Sequence, residues 1–177
     1  MKTLYLERST GASRDGDWAE ALDLDGVERM VVGIGPGSFA GIRSALAFAQ
    51  GYALGRKCEV LGLPSACALV EDDAPLAVVG DARRGKFWIA LFDGFKLVCD
   101  IFQVEQEELA LRIPLSVKVV TPDAARIDAV LKEIFAERYL GGRQPTAEGL
   151  QRFAERCPAI LKPEPLPLYL NPAVRAP

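Results

Sequence analysis

The chain contains no histidine, and that gap removes more chemistry than any other feature of its composition. Without an imidazole there is no Ser-His or Cys-His nucleophile pair, no H-E-x-x-H zinc site and no histidine general base. Catalysis would have to run on carboxylates, lysines or a bound nucleotide. No uninterrupted apolar run approaches ~18 residues, so nothing reads as a membrane span. In "MKTLYLERSTGASRDGDW" the charges come too soon for the apolar core of a signal peptide. The chain therefore reads as soluble and cytoplasmic, with no membrane partner. Its four cysteines, Cys58, Cys67, Cys99 and Cys157, form no C-x-x-C pair and read as reduced, structural thiols. Neither sign of charge dominates: 21 Lys and Arg stand against 24 Asp and Glu, for a net charge of -3. A surface of that balance excludes a general polyanion binder and leaves only local or indirect contact with nucleic acid.

What is present is a patterned α/β chain of 177 residues, enough for one domain or two small packed lobes. "TLYLE" (Thr3 to Glu7) reads as a strand, Ser9 to Gly16 as a loop, and "WAEALDL" (Trp18 to Leu24) as one or two helical turns. "RMVVGIG" is a β-branched run bounded by glycine and reads as a buried strand. The helix after it carries Gly41, Ala45, Ala49 and Ala53 at intervals of four. Such a stripe permits close backbone approach to a sheet or to a partner helix. "CEVLGL" gives the next strand and "PSACALVED" opens a helix, with Pro64 in its first turn. Strand, helix and strand joined this tightly imply a parallel pair with a right-handed crossover.

Beyond "DDAP" the character changes. "LAVVGD", "KFWIALFDG" and "FKLVCDIFQV" are three β-rich runs, the first two linked by "ARRG" and the last two by a hairpin signal at Asp93-Gly94. "EQEELALR" reads as a short solvated helix and "LSVKVVTP" as a fourth strand. "DAARIDAVLKEIFAERYL" reads as a long amphipathic helix with Asp123 as its N-cap, and "TAEGLQRFAERC" as a final helix before a proline-rich tail. Three antiparallel strands, a helix, a fourth strand and more helix is the order of a ribonuclease H-like unit. The first half repeats part of that order without room for strands two and three between Thr10 and Trp18. The expected division is residues 1–73 as a truncated N-terminal lobe and 74–177 as a C-terminal lobe with its tail.

"GIGPGSFAGIRSALAFAQGYALG" (Gly33 to Gly55) raises the question of phosphate binding. A Walker A loop needs a lysine after its glycines, and here Ser38-Phe39-Ala40 follows instead. Gly35-Pro36-Gly37-Ser38-Phe39-Ala40 fits the loose dinucleotide pattern, but Leu63 and Pro64 stand where that motif expects an acidic residue. Two readings stay open. Gly35, Gly37 and Ser38 form either a tight turn with Ser38 capping the helix, or an anion site at its N-terminus. Arg83 and Arg84 are either a solvated hairpin turn or paired guanidiniums that grip a phosphate, a nucleic-acid backbone or a partner carboxylate. Arg43 is a surface charge or an interface contact, and Phe48 and Tyr52 are core packing or an exposed partner patch. Trp88 and Phe92, alternating on one strand face, read as core.

Three stretches together resemble the TsaB (YeaZ) family of subunits for tRNA threonylcarbamoyladenosine (t6A) synthesis. "GIGPGSFAGIR" resembles that family's G-x-GPGSFTGLR signature, "VVGDARRGKFWIALFDG" its DARR stretch through Asp81, Ala82, Arg83 and Arg84, and "PLYLNPAV" its C-terminal PxYLR ending. The resemblance implies an actin-like ATPase (ASKHA) fold of two ribonuclease H-like lobes, the first here lacking its second and third strands. It further implies a non-catalytic subunit that binds a TsaD-like threonylcarbamoyltransferase and works with a TsaE-like ATPase, touching tRNA only indirectly. The interface it suggests is the first-lobe helix, through Gly41, Arg43, Ala45, Phe48, Ala49 and Tyr52. No cofactor of its own is implied, ATP or ADP entering only at a partner interface. The catalytic relative holds its metal with histidines, which this chain lacks. Glu7-Arg8-Ser9-Thr10 stands where the family has DTST, so the phosphate-loop aspartate is missing. Other readings are a glycoprotease-like or nucleotide-binding hydrolase, and a homodimer joined through the Gly41/Ala45/Ala49/Ala53 face.

Overall fold

The computed structural model describes residues 1–10 and 18–170. The chain divides into two compact units. The first comprises Met1–Ala68 and Pro145–Leu168. The second comprises Leu69–Gln144 and Tyr169–Pro177, of which 171–177 lie outside the described residues. The end of the "PLYLNPAV" motif and most of the expected Ser9 to Gly16 loop likewise fall outside the description.

In the first unit β1 (Lys2–Leu6), β2 (Val27–Gly33) and β3 (Glu59–Leu63) run parallel. Among the described residues no strand lies between β1 and β2. Helix α1 (Phe39–Leu54) provides the crossover from β2 to β3. Leu6, Met30, Val32 and Ile34 form one core with Ile42, Ala45, Leu46 and Ala49 of α1. The expected "WAEALDL" helix is only a turn, closed by a Leu22 N–H to Ala19 carbonyl bond. The segment after Pro64 is a 3-10 helix, Ser65–Leu69, rather than an α-helix.

The chain returns to this unit after residue 144, where the division expected at 73 had assigned it to the second lobe. Helix α4 (Ala147–Arg156) is capped by the Thr146 hydroxyl, which accepts from the Gly149 N–H at 3.0 Å. It packs against β1 and buries Leu150, Phe153 and Ala154. Gly149 is needed there because a Cβ would run into the Ala68 backbone. The tail adds β10 (Lys162–Pro163) antiparallel to β3. Apolar residues on the amphipathic α4 thus find their burial on the first sheet, which overrides proximity in sequence.

The second unit is built on β4 (Leu76–Arg83), β5 (Lys86–Asp93), β6 (Lys96–Leu97), β7 (Phe102–Glu105), β8 (Lys118–Thr121) and β9 (Tyr139–Gly142). The strand order is β6-β5-β4-β8-β9, with β7 also paired to β5. The β4–β5 and β5–β6 pairs are antiparallel, and β4–β8 and β8–β9 are parallel. Helices α2 (Leu109–Arg112) and α3 (Ala124–Phe135) contribute Leu109, Ile127, Leu131 and Phe135 to a core with Val79, Ile89 and Val119. Trp88 and Phe92 are buried, as read from their alternation.

The expected helix running to Leu140 stops at Phe135, where Ala136 adopts φ +48 and the chain turns into β9. Tyr139 is buried there and its hydroxyl donates to Asp128 at 2.9 Å, an anchor that periodicity does not report. With β9 the sheet of the second unit has six strands.

Candidate functional site

Two turns carry the residues singled out by sequence: the glycine loop of the first unit and the arginine hairpin of the second. The glycine loop leaves β2 at Gly33 and is locked at once. The Gly35 N–H donates to the Ser65 hydroxyl at 3.0 Å, and the Ser65 N–H donates to the Gly35 carbonyl at 2.8 Å. Ser38 is the N-cap of α1, its hydroxyl accepting from the Gly41 N–H at 3.3 Å, while its own N–H donates to the Ser9 carbonyl. The donors at Gly35 and Ser38 that an anion would need are therefore already used.

The space above the loop is filled by the protein's own segment 7–9. A Cβ at Gly37 would run into Ser9, and one at Gly41 into the Arg8 carbonyl. The absence of a side chain at those two positions serves this internal crossing. Glu7 lies on Gly33: its Oε1 accepts from the Ser9 N–H at 2.6 Å, and its Oε2 is buried with no hydrogen-bond partner among the described residues. Burial pushes this carboxyl's pKa up, against the pull of hydrogen bonds from Ser9 and Ser65. A buried carboxyl group packed against Gly33 supplies no positive charge to a phosphate. Of the two readings left open, the geometry fits the capped turn.

The small stripe of α1 faces inward. Ala45 and Ala49 are 0% exposed in the core of their own unit, and Gly41 is covered by Arg8, so these three offer no open face to a partner. A stripe that permits close approach is used here for the helix's own sheet. Phe48 and Tyr52 are half-buried against the same unit. Phe48 meets Trp18 edge-on with ring centroids 5.2 Å apart, Arg8 stacks over Trp18 at 4.3 Å, and the Tyr52 hydroxyl donates to the Leu24 carbonyl at 2.8 Å. They hold the 18–24 segment onto α1. Arg43 is exposed and stacks over the exposed Phe39 ring at 4.3 Å, and Leu54 at the end of α1 is 90% exposed. The outward side of α1 thus runs through Phe39, Arg43 and Leu54.

In the second unit, Arg83 pairs with Lys86 across a two-residue turn of Arg84 and Gly85. All of Arg83, Arg84 and Gly85 have left-handed backbones, with φ +68, +57 and +76. Asn and Gly are the residues such a turn favours; each arginine there carries a cost of roughly 1 kcal/mol. Asp81 imposes the conformation. Its Oδ1 accepts from the Arg83 N–H at 2.7 Å, its N–H donates to the Asp123 carboxylate at 2.9 Å, and its Oδ2 meets Arg126 Nε at 2.8 Å. Arg126 also bonds Asp123, whose N–H donates to the buried Thr121 hydroxyl at 3.0 Å. Asp123 stands at the N-cap of α3 without a side-chain cap bond, because its carboxylate is committed to β4. The register shift between Asp81 and Arg83 then turns both arginines outward, where they are exposed.

Trp18 and Arg126 are supporting residues that sequence reading passed over, while Glu7 was read only as a departure from the family's DTST and Asp123 only as a helix N-cap. Glu7, as an acid directly after an apolar strand, and Asp123, as an acid before an amphipathic run, carried local signals, but neither signal reported the contact it makes. The Asp81–Asp123 bond spans 42 positions and no spacing rule points to it. Among the described residues no group of three or more Cys, Asp or Glu side chains could hold a metal ion. The four cysteines are free. Among the described residues, no helix is long and apolar enough to cross a membrane.

Comparison with known proteins places this geometry. The family model described as TsaD, tRNA N6-adenosine threonylcarbamoyltransferase, matches residues 19–133. No curated protein sequence matches the chain. Among solved structures, YeaZ from Pseudomonas aeruginosa is similar with a TM-score of 0.70 at 20% identity, covering 94% of this chain and 99% of that one. A second structure from Pseudomonas aeruginosa, described as an uncharacterized protein with similarity to peptidase YeaZ, gives 0.71 at 19% identity over 96% and 99% of the two chains. The fold is therefore the actin-like one of YeaZ. With a family match that spans well over half of its length, the chain belongs to the TsaD, tRNA N6-adenosine threonylcarbamoyltransferase, family.

Proposed function

We propose that this chain is a non-catalytic subunit that binds and supports a TsaD-like threonylcarbamoyltransferase in t6A modification of tRNA. It works in the cytoplasm with a TsaE-like ATPase and reaches tRNA only through the catalytic chain. The observation that carries the reading is the family match over residues 19–133 in a chain with no histidine. A family member without an imidazole has neither a histidine metal site nor a histidine base. Its remaining use is to hold another subunit in a working state.

The glycine loop supports the same reading. Its N–H groups at Gly35 and Ser38 are spent on the chain's own Ser65 and Ser9, and the Glu7 carboxyl group packs against Gly33. A hydrolase reading needs those donors for the nucleotide. No cofactor is assigned to this chain itself, and any ATP or ADP enters only at an interface with the partner. The outward side of α1, with Phe39, Arg43 and Leu54, is the first-lobe surface offered for docking.

Mixing this protein with the TsaD-like subunit of the same cell and resolving the mixture by size exclusion tests the reading. A single co-eluting complex at micromolar concentration is the expected result; two separate peaks would remove the subunit role. Calorimetry with ATP and ADP on the isolated chain should give no heat of binding, and micromolar affinity without a partner would favour the hydrolase.

A further inference from the structure

We infer that the Arg83-Arg84 hairpin tip is a recognition element for a carboxylate of a protein partner, and that its left-handed backbone is maintained for this contact. The inference rests on the subunit reading above and adds a second contact, on the second unit, to the one offered by α1.

The backbone is the first observation. A two-residue hairpin turn with both residues at positive φ favours Asn-Gly, and glycine fills only its second place here. Arg83 and Arg84 hold φ +68 and +57 without any Cβ advantage. Such a conformation persists when the surroundings over-determine it. Here the Asp81 carboxylate does so, fixed by Arg126 on one side and accepting the Arg83 N–H on the other. A network spanning β4 and α3 is spent on aiming two side chains outward.

The charges around the tip are the second observation, and they select the ligand. Lys86 is matched by Glu105 at 2.8 Å. Arg126 is matched by Asp81 at 2.8 Å and by Asp123. Arg83 lies 3.5 Å from the already shared Asp81 Oδ2 and keeps 67% of its side chain exposed. Arg84 is exposed and has no ion-pair partner among the described residues. The positive charge left over is that of one to two guanidiniums at a single point. An RNA backbone is bound by a stripe of cations that neutralises several phosphates, and the chain as a whole carries -3. One or two carboxylates, by contrast, match the planar fork of a guanidinium in number and shape.

Replacing arginine by glycine separates the two roles. Arg84→Gly and the double variant Arg83→Gly, Arg84→Gly keep the left-handed backbone accessible and remove only the guanidiniums. Their binding to the TsaD-like subunit is measured by calorimetry at about 50 mM and about 300 mM salt, with melting temperature recorded alongside. The expected result is a loss of roughly tenfold in affinity per arginine and a weaker salt dependence, with the melting temperature unchanged or raised. Wild-type affinity in the double variant at low salt overturns the inference and leaves the subunit reading standing. Failure of the wild-type protein to bind removes the subunit reading and this contact with it. Fluorescence anisotropy with unmodified tRNA is the remaining arm: micromolar binding that disappears in the double variant overturns the carboxylate in favour of a phosphodiester.

Discussion

Glu7 places an ionisable carboxyl group where its charged form is poorly solvated, and the consequence is a pH dependence with a definite sign. Burial raises its pKa in the folded chain above the ordinary carboxylate value. The folded state therefore favours the protonated form, and this stabilising effect is complete below the unfolded pKa. It is lost as pH rises through the folded value. Glu7→Gln keeps the shape, retains an acceptor for the Ser9 N–H and cannot ionise. Its melting temperature relative to the wild type should climb as pH goes from about 4 to about 7. A difference constant across that range would show that Glu7 is not the titrating group. Gly41 gives a second test at the same scale. Its missing side chain makes room for the Arg8 carbonyl, so Gly41→Ala should destabilise the isolated protein by about 1 to 3 kcal/mol in urea unfolding. An unchanged midpoint with weakened partner binding would return Gly41 to the interface.

For the elements, α1 shows what a sequence pattern conveys and what it withholds. Its start was legible because Ser38 is a capping residue after a glycine-rich turn, and the hydroxyl does accept the Gly41 N–H. Ser38→Ala should lower stability by about 1 kcal/mol, read as a shift in the urea midpoint. Which side of α1 is free was not legible. Glycine and alanine at intervals of four allow close approach to any flat neighbour, and the chain's own sheet takes that place at Ala45 and Ala49. The β4–β5 hairpin was legible in its strands, whose apolar residues pair from Leu76 opposite Phe92 to Val79 opposite Ile89. Its tip was not, because the left-handed arginines depend on Asp123 and Arg126, which no local pattern ties to Asp81. The end of α3 failed for a related reason. Helical periodicity runs on through "AERYL", while the buried Tyr139 and its bond to Asp128 pull that stretch into β9.

Over the whole molecule, the order of the strands could be read because parallel and antiparallel connections differ in length, yet the allotment of the C-terminal segment could not. Residues 145–168 belong to the first unit: α4 packs on β1, β10 pairs with β3, and the Leu168 N–H donates to the Ile34 carbonyl at 2.8 Å. An amphipathic helix is equally compatible with either sheet until its partner surface is known, and here Leu150 and Phe153 are fully buried in the first unit. The two tryptophans make this testable, since Trp18 reports on the first unit and Trp88 on the second. Phe153→Ala should cost about 3 to 5 kcal/mol, introduced into single-tryptophan forms made with Trp18→Phe or Trp88→Phe. The urea midpoint reported by Trp18 should fall at least as far as that reported by Trp88, because the cavity opens in the unit that Trp18 monitors. A shift confined to Trp88 would instead assign α4 to the second unit, as an even division of the chain near residue 73 would have it.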